Sequence, residues 1–342
     1  MVDPKNIDFY SLGFEFIETR SMFISDFKDG KWDEGKLVPF GNIEISPAAC
    51  VLNYGQGIFE GMKALKTKSG EITLFKPSEN GKRFNQSAKR MLMPEYKIDK
   101  FVDAIKKVVK ANEDYIPPHD SGGALYIRPM LFGNGPILGV TSAKEFKLIM
   151  FTVPVGPYFP EGFKGISLEI SKQYTRAAPG GTGSTKTICN YAGTMLPAKE
   201  AKSRGFSQIL YLDAVNMEFI EEVGAANFFG LINGKLATPR KTGTILEGIT
   251  REAILELASK KLGIEVEERD ISYKELFDQS CSEAFCSGTA AVITPIASVT
   301  LENKERVFNN KEPGEITTKL YEILTGIQHL EIEDEFGWMV KV

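Results

Sequence analysis

Histidine is almost missing from this chain: only His119 and His329 occur in 342 residues. Chemistry that runs on a histidine general base is therefore disfavoured, and a lysine or a carboxylate is the expected proton carrier. Cysteine is nearly as scarce. Cys50, Cys189, Cys281 and Cys286 form no C-x-x-C pair, so no zinc or other metal site is expected, and free buried thiols are. An excess of charge of one sign is lacking too. The net charge of -4 gives no electrostatic reason to expect nucleic acid or an anionic membrane as a partner. No apolar run reaches the roughly 18 residues of a spanning helix. Met1–Asn6 has no basic region followed by an apolar one, and it lacks the Arg and Ser of a transit peptide. A cytoplasmic location is the expectation.

What is present is ordinary for a soluble globular protein: 42% hydrophobic and 25% charged residues, in a chain long enough for about two domains. Apolar spacing predicts helices over Ser78–Met93, Lys100–Ala111, Thr194–Arg204 and Arg251–Leu262, the last two stopped by Gly205 and Gly263. Strands are predicted over Leu125–Leu131, Phe146–Val153, Ile166–Ser171, Ile209–Leu212 and Phe228–Ile232. Asn233-Gly234 then turns the chain into a return strand at Lys235–Ala237. Helices and strands mix without strict alternation, which favours α+β over a doubly wound sheet. The prolines and glycines from Pro154 to Gly162 read as a boundary no strand or helix crosses. The expected division is a small N-terminal domain over 1–155, a linker over 156–165 and a larger domain over 166–342, with a ligand site where the two meet.

The most informative stretch is Ala178-Pro179-Gly180-Gly181-Thr182-Gly183-Ser184-Thr185-Lys186. Glycine lets backbone approach a ligand, and a lysine placed there reads as an amine nucleophile toward a carbonyl, such as that of pyridoxal phosphate. A plain turn is the competing reading. The rest of the chain supplies what that cofactor needs. Glu221-Glu222, followed by Val223–Phe229 without charge, is either a carboxylate at the mouth of a core strand, suited to a pyridinium partner, or a solvated turn. Thr242–Gly248, opening a helix, and Ser287–Ala291 are candidate phosphate cradles, though each also reads as a turn or cap. Arg83, inside a helix with Lys82 and Arg90 nearby, reads by itself as a solvated charge. Tyr126 and Arg128, two apart on a strand, share a face, and an arginine facing a pocket suits a substrate carboxylate.

Taken together, these motifs resemble those of the branched-chain amino acid aminotransferases, fold-type IV pyridoxal-phosphate enzymes. The resemblance runs from about Gly13 to Trp338. It is carried by Tyr54, Phe59-Glu60-Gly61-Met62-Lys63, Leu125-Tyr126-Ile127-Arg128-Pro129, Lys186 with Asn190-Tyr191, Glu222-Val223-Gly224, Gly248-Ile249-Thr250-Arg251 and Ser287-Gly288-Thr289-Ala290. It implies a two-domain α+β fold with pyridoxal 5'-phosphate at the junction, and reversible amino transfer between L-leucine, L-isoleucine or L-valine and 2-oxoglutarate. Lys186 would be the Schiff-base lysine and proton carrier. Tyr191 would donate to the ring oxygen and Glu222 would pair with the ring nitrogen. Arg83, Thr244, Ile245 and Thr289 would hold the phosphate. Tyr54, Phe59, Tyr126 and Tyr191 would line the side-chain pocket. Arg128 would meet the distal carboxylate of glutamate, and the backbone at Thr289 and Ala290 the α-carboxylate. Val140 would reach the partner's site in a homodimer.

In two places the chain departs from relatives. Ala291 and Thr294 stand where some carry a redox-active cysteine pair, so that switch is not expected. Ala225 replaces a hydroxyl residue. The alternatives are a D-amino acid transaminase, an amine transaminase or an aminodeoxychorismate lyase on the same fold. From another class, the alternative is a non-catalytic binder of pyridoxal phosphate.

Overall fold

Period-two burial along Ala124–Gly133 sets the first half of the molecule. Leu125, Ile127 and Leu131 are fully buried, while Tyr126, Arg128 and Met130 lie on the opposite face, half-buried. The computed structural model describes residues 2–158 and 162–342. Ala124–Gly133 is the central strand of a nine-stranded antiparallel sheet. In spatial order its main path is Met339–Lys341, Ile72–Phe75, Met62–Lys66, Ala124–Gly133, Phe146–Val155, Ser21–Lys28 and Lys31–Trp32. Lys36–Pro39 pairs with Ser21–Lys28, and Gly57–Phe59 with Ala124–Gly133. The helices Pro77–Arg90 and Ile98–Ala111 supply Phe84, Ala88, Phe101, Ile105 and Val108 to the same core as Leu125 and Ile127. Pro77 starts the first helix at its favoured position.

The second sheet also has nine strands, with Ile220–Val223, Gln208–Leu212, Ile166–Ile170, Val292–Leu301, Cys281–Gly288 and Ala226–Ile232 in order. Ile220–Val223 also pairs with Ala226–Ile232, so these strands close into a ring, which leaves them no free edge. Lys235–Pro239 and Val266–Arg269 extend it, and Lys304–Val307 pairs with Val292–Leu301. The predicted hairpin is present: Asn233 and Gly234 have φ of 51° and 75°, the left-handed pair that such a turn requires.

The chain forms two compact units. One comprises Met1–Pro160, Thr185–Cys189 and Ile327–Val342, and the other Glu161–Ser184 and Asn190–Gly326. The single division expected from sequence differs from this in two excursions. Met339–Lys341 returns as an edge strand on Ile72–Phe75, with Trp338 against Phe75. The stretch around Lys186 is bonded to the first unit through Phe59 N–H to Lys186 O (3.1 Å) and Ile188 N–H to Gly57 O (3.1 Å). Pro154 does not end its strand, which runs to Val155 with Pro154 opposite Leu125. Of the expected linker, 159–161 lie outside the described residues.

No helix among the described residues is long and apolar enough to cross a membrane. Cys50, Cys281 and Cys286 are buried as expected, and burial pushes the thiols of Cys281 and Cys286 up to about 12. Cys189 departs from that expectation: it opens the short helix Cys189–Ala192 and is exposed.

Both histidines meet in the first unit. Their ring centroids are 5.1 Å apart, and His119 Nε2 lies 3.1 Å from Glu331 Oε1. Burial, then the charges of His119 and Lys63, hold His329 below the ordinary histidine range, with Glu331 opposing. The unfolded chain therefore takes this proton before the folded one. Stability falls as pH drops from about 6.5, where an unperturbed histidine titrates. Thermal unfolding at pH 7.5 and 5.5 should show a smaller acid loss for His329→Gln than for the parent.

Candidate functional site

A single helical stripe builds one part of the site. Asn80, Arg83 and Ser87 lie on one face of Pro77–Arg90, and all are buried. Arg83 donates Nε to Glu60 Oε1 and Nη2 to Glu60 Oε2, both at 2.8 Å, and Asn80 Nδ2 donates to Oε2 at 2.8 Å. Ser87 Oγ accepts from the Lys186 backbone N–H at 3.0 Å. Lys186 Nζ lies 4.8 Å from the Phe59 ring centroid. Burial and then the Arg83 charge push its amine down to about 8, against the opposing influence of Glu60 and Tyr126. Burial pushes Glu60 up, but Arg83, Lys186 and Asn80 outweigh it and hold the carboxyl below its usual range. Burial pushes Lys63 down to about 8 as well.

The same unit brings Phe59, Tyr126 and Arg128 together. Arg128 Nη2 donates to Tyr126 Oη at 3.1 Å, and its guanidinium lies 4.7 Å from the Phe59 ring and 5.2 Å from the Tyr126 ring. Arg128 Nε is buried with no hydrogen-bond partner among the described residues, the mark of a donor awaiting an acceptor. Gly61 makes room for this arrangement, since a Cβ there would meet Tyr126 Oη at 2.1 Å. Tyr54 is exposed, and its hydroxyl donates to the Leu138 carbonyl. Val140, on the same loop as Leu138, is 89% exposed.

In the second unit both glutamates are buried, not solvated. Glu222 Oε2 lies 2.5 Å from Arg176 Nη1 and accepts from Leu246 N–H at 3.3 Å, while Asn227 Nδ2 donates to Oε1 at 3.2 Å. Register aligns Glu222 with Asn227 and Asn227 with Ser287, so a carboxylate, an amide and a hydroxyl form a row across neighbouring strands. The Ser287 hydroxyl is buried with no partner among the described residues. Burial raises Glu221 above the usual carboxylate range.

Thr244 and Ile245 are buried before the helix Ile249–Lys260, and Thr244 Oγ1 bonds Thr242 Oγ1 at 2.7 Å. Gly183 passes so close that a Cβ would meet Thr244 O at 2.2 Å. Thr289 and Ala290 form the half-buried turn between Cys281–Gly288 and Val292–Leu301. Val292 beside it has φ 64°, a strained conformation for a β-branched residue. Tyr191 is half-buried in Cys189–Ala192, after Asn190, which donates Nδ2 to Thr182 O at 2.7 Å.

Sequence reasoning missed Arg176, Asn227 and Asn80. The need for the first follows only once Glu222 is seen to be buried: a buried glutamate demands a counter-charge, and Arg176, just before the glycine-rich stretch, supplies it. The donor set suits pyridoxal phosphate. The first unit offers an amine lowered toward neutrality and an arginine, and the second offers a carboxylate with a buried arginine and hydroxyl and backbone N–H groups suited to a dianion.

Residues 57–299 match the amino-transferase class IV family. A chloroplastic branched-chain-amino-acid aminotransferase of Arabidopsis thaliana is 43% identical over 98% of this chain and 86% of its own length. A methionine aminotransferase of the same plant is 44% identical over 98% of this chain and 94% of its own. Among solved structures, the branched-chain amino acid aminotransferase of Thermobaculum terrenum in its PLP form superposes with a TM-score of 0.81 at 25% identity, covering 95% of this chain and 98% of that one.

Proposed function

Because the chain belongs to the amino-transferase class IV family, we propose that it moves the amino group reversibly between L-leucine, L-isoleucine or L-valine and 2-oxoglutarate, with pyridoxal 5'-phosphate as cofactor. The observation that carries this reading is the setting of Lys186. Its amine is lowered to about 8 beside Glu60 and Arg83, and the aromatic wall of Phe59 and Tyr126 adjoins the single guanidinium of Arg128.

When bound, the cofactor supplies an electron sink for charge developing at the substrate Cα. Lys186 would hold the cofactor, and its Nζ would serve as the group that takes and returns the substrate Cα proton. An amine near 8 is partly neutral at physiological pH and partly charged, as a proton carrier must be. Glu222, with Arg176 as its buried counter-charge, would pair with the ring nitrogen, and Tyr191 would donate to the ring oxygen. Arg83, Thr244, Ile245 and Thr289 would hold the phosphate. Phe59, Tyr54, Tyr126 and Tyr191 surround an apolar side chain, Arg128 meets the second carboxylate of glutamate, and the turn at Thr289 and Ala290 holds the α-carboxylate. The working unit in this reading is a homodimer, with the exposed Val140 entering the partner's site.

Adding L-leucine alone to the purified holoenzyme should remove the absorption band of the resting cofactor, and 2-oxoglutarate should restore it. A band indifferent to L-leucine but responsive to D-alanine would overturn the substrate assignment. The methionine aminotransferase relative favours one further donor: a flexible thioether suits the same apolar pocket. A kcat/KM for L-methionine about tenfold above that for L-leucine, some 1.4 kcal/mol of pocket preference, would make methionine the principal substrate.

A further inference from the structure

Glu60 has no role in the reaction as described, yet its side chain is fully buried against Arg83. A carboxylate taken out of water is costly unless its oxygens are satisfied, and a replacement by apolar groups is often no less stable. Stability alone is therefore a weak account of it. Its surroundings are specific. The Glu60 backbone N–H is bonded to Pro129 O at 2.9 Å, next to Arg128 on the central strand. Gly61 N–H adds a bond to Oε2 at 3.3 Å. Both carboxylate oxygens then receive Arg83 in the two-pronged geometry that fixes a guanidinium in plane and direction. The helix that brings Arg83 also brings Ser87 to the Lys186 backbone. One acid, one arginine and one lysine are thus held in a row by neighbouring turns of a single helix.

We propose that Glu60 is a positioning residue: it locks the Arg83 guanidinium toward an incoming phosphate and supplies the negative charge that balances Arg83 beside Lys186. This rests on Arg83 as a phosphate ligand and Lys186 as the cofactor lysine. The first function is preorganisation, since an arginine fixed before binding loses little rotamer freedom on binding. The second is electrostatic. Arg83 disfavours a proton on Lys186, and Glu60 favours it. With Glu60 neutral, that favouring influence is lost, and the lysine amine titrates at lower pH.

Glu60→Gln tests both in the full chain freed of cofactor, using pyridoxal phosphate and pyridoxal, which lacks the phosphate. Expected, at a pH above the lysine midpoint of both proteins, is a loss of pyridoxal phosphate affinity of about tenfold, the scale of one charge-assisted contact, with pyridoxal affinity unchanged. The pH midpoint for pyridoxal uptake should also move down. Equal weakening of the two ligands, or no change in either, overturns the proposal, because a merely structural pair would loosen the pocket for both. Asn80→Ala keeps the charge and removes one donor to Glu60. It should weaken pyridoxal phosphate less than Glu60→Gln does and leave the midpoint in place, whereas equal losses for both ligands count against positioning. Arg83→Gln in the same assay separates the layers. If it does not discriminate the two ligands, the phosphate role of Arg83 fails and this inference falls with it, while amino transfer through Lys186 stands.

Discussion

Lys186→Ala is expected to lose turnover by at least ~10⁴-fold while keeping the fold, because one amine serves as both attachment point and proton carrier. The structure says why the fold should survive. The segment is tied to its surroundings without the lysine side chain: Lys186 N–H to Ser87 Oγ, Phe59 N–H to Lys186 O, Ile188 N–H to Gly57 O, and the Thr187 hydroxyl to Gly57 O at 2.7 Å. The side chain carries an amine that burial and Arg83 make reluctant to hold its proton, so removing it relieves a penalty. The amine pushed down to about 8 also sets a pH dependence. Uptake of a carbonyl compound by the parent chain should rise with pH through about 8, as the neutral amine appears, and the variant should show no such rise. Turnover that persists in Lys186→Ala would sink the lysine assignment. A parent that binds pyridoxal phosphate but turns over neither L-leucine, L-methionine nor D-alanine would be a binder only.

What the sequence revealed was what it encodes locally. The hairpin at Asn233-Gly234 needs two left-handed residues in succession, and that dipeptide supplies them. The alternation of Leu125, Tyr126, Ile127 and Arg128 put Tyr126 and Arg128 on one face before any coordinates. The helix Glu315–Gln328 was invisible for the converse reason. Its first N–H groups are satisfied from another strand: Glu283 accepts from Ile316 N–H at 3.1 Å and from Thr317 N–H at 2.9 Å. A helix whose cap lies far away in sequence, and which carries Thr317 and Thr318 in its first turn, gives little local start signal. The strand ring escaped notice because its closure depends on Ile166–Ile170 pairing in parallel with Val292–Leu301, a contact that no turn residue announces. In the site, Lys186 and Glu222 stand in local motifs. The burial of Glu221 and Glu222 did not show, because it follows from the strand's place in a closed ring.

Arg176→Met should be among the most destabilising single changes in the second unit. Glu222 is 1% exposed and Arg176 is its buried cation at 2.5 Å. Removing the arginine takes the buried counter-charge from a carboxylate that Asn227 Nδ2 and Leu246 N–H also bond, and breaking such a pair costs about 3–5 kcal/mol. For a unit of this size that is a fall of roughly 6–20 °C in the unfolding midpoint. The double variant Arg176→Met, Glu222→Gln separates charge from shape. With the acid neutralised, no buried charge is left unmatched, and most of the loss should return. Activity should not return with it, because an amide cannot serve as the anion for a pyridinium nitrogen. Stability restored without turnover would establish that Arg176 is there to keep Glu222 ionised. Arg176→Met unfolding within about 2 °C of the parent would show that Glu222 takes up a proton instead, as burial already inclines its neighbour Glu221 to do.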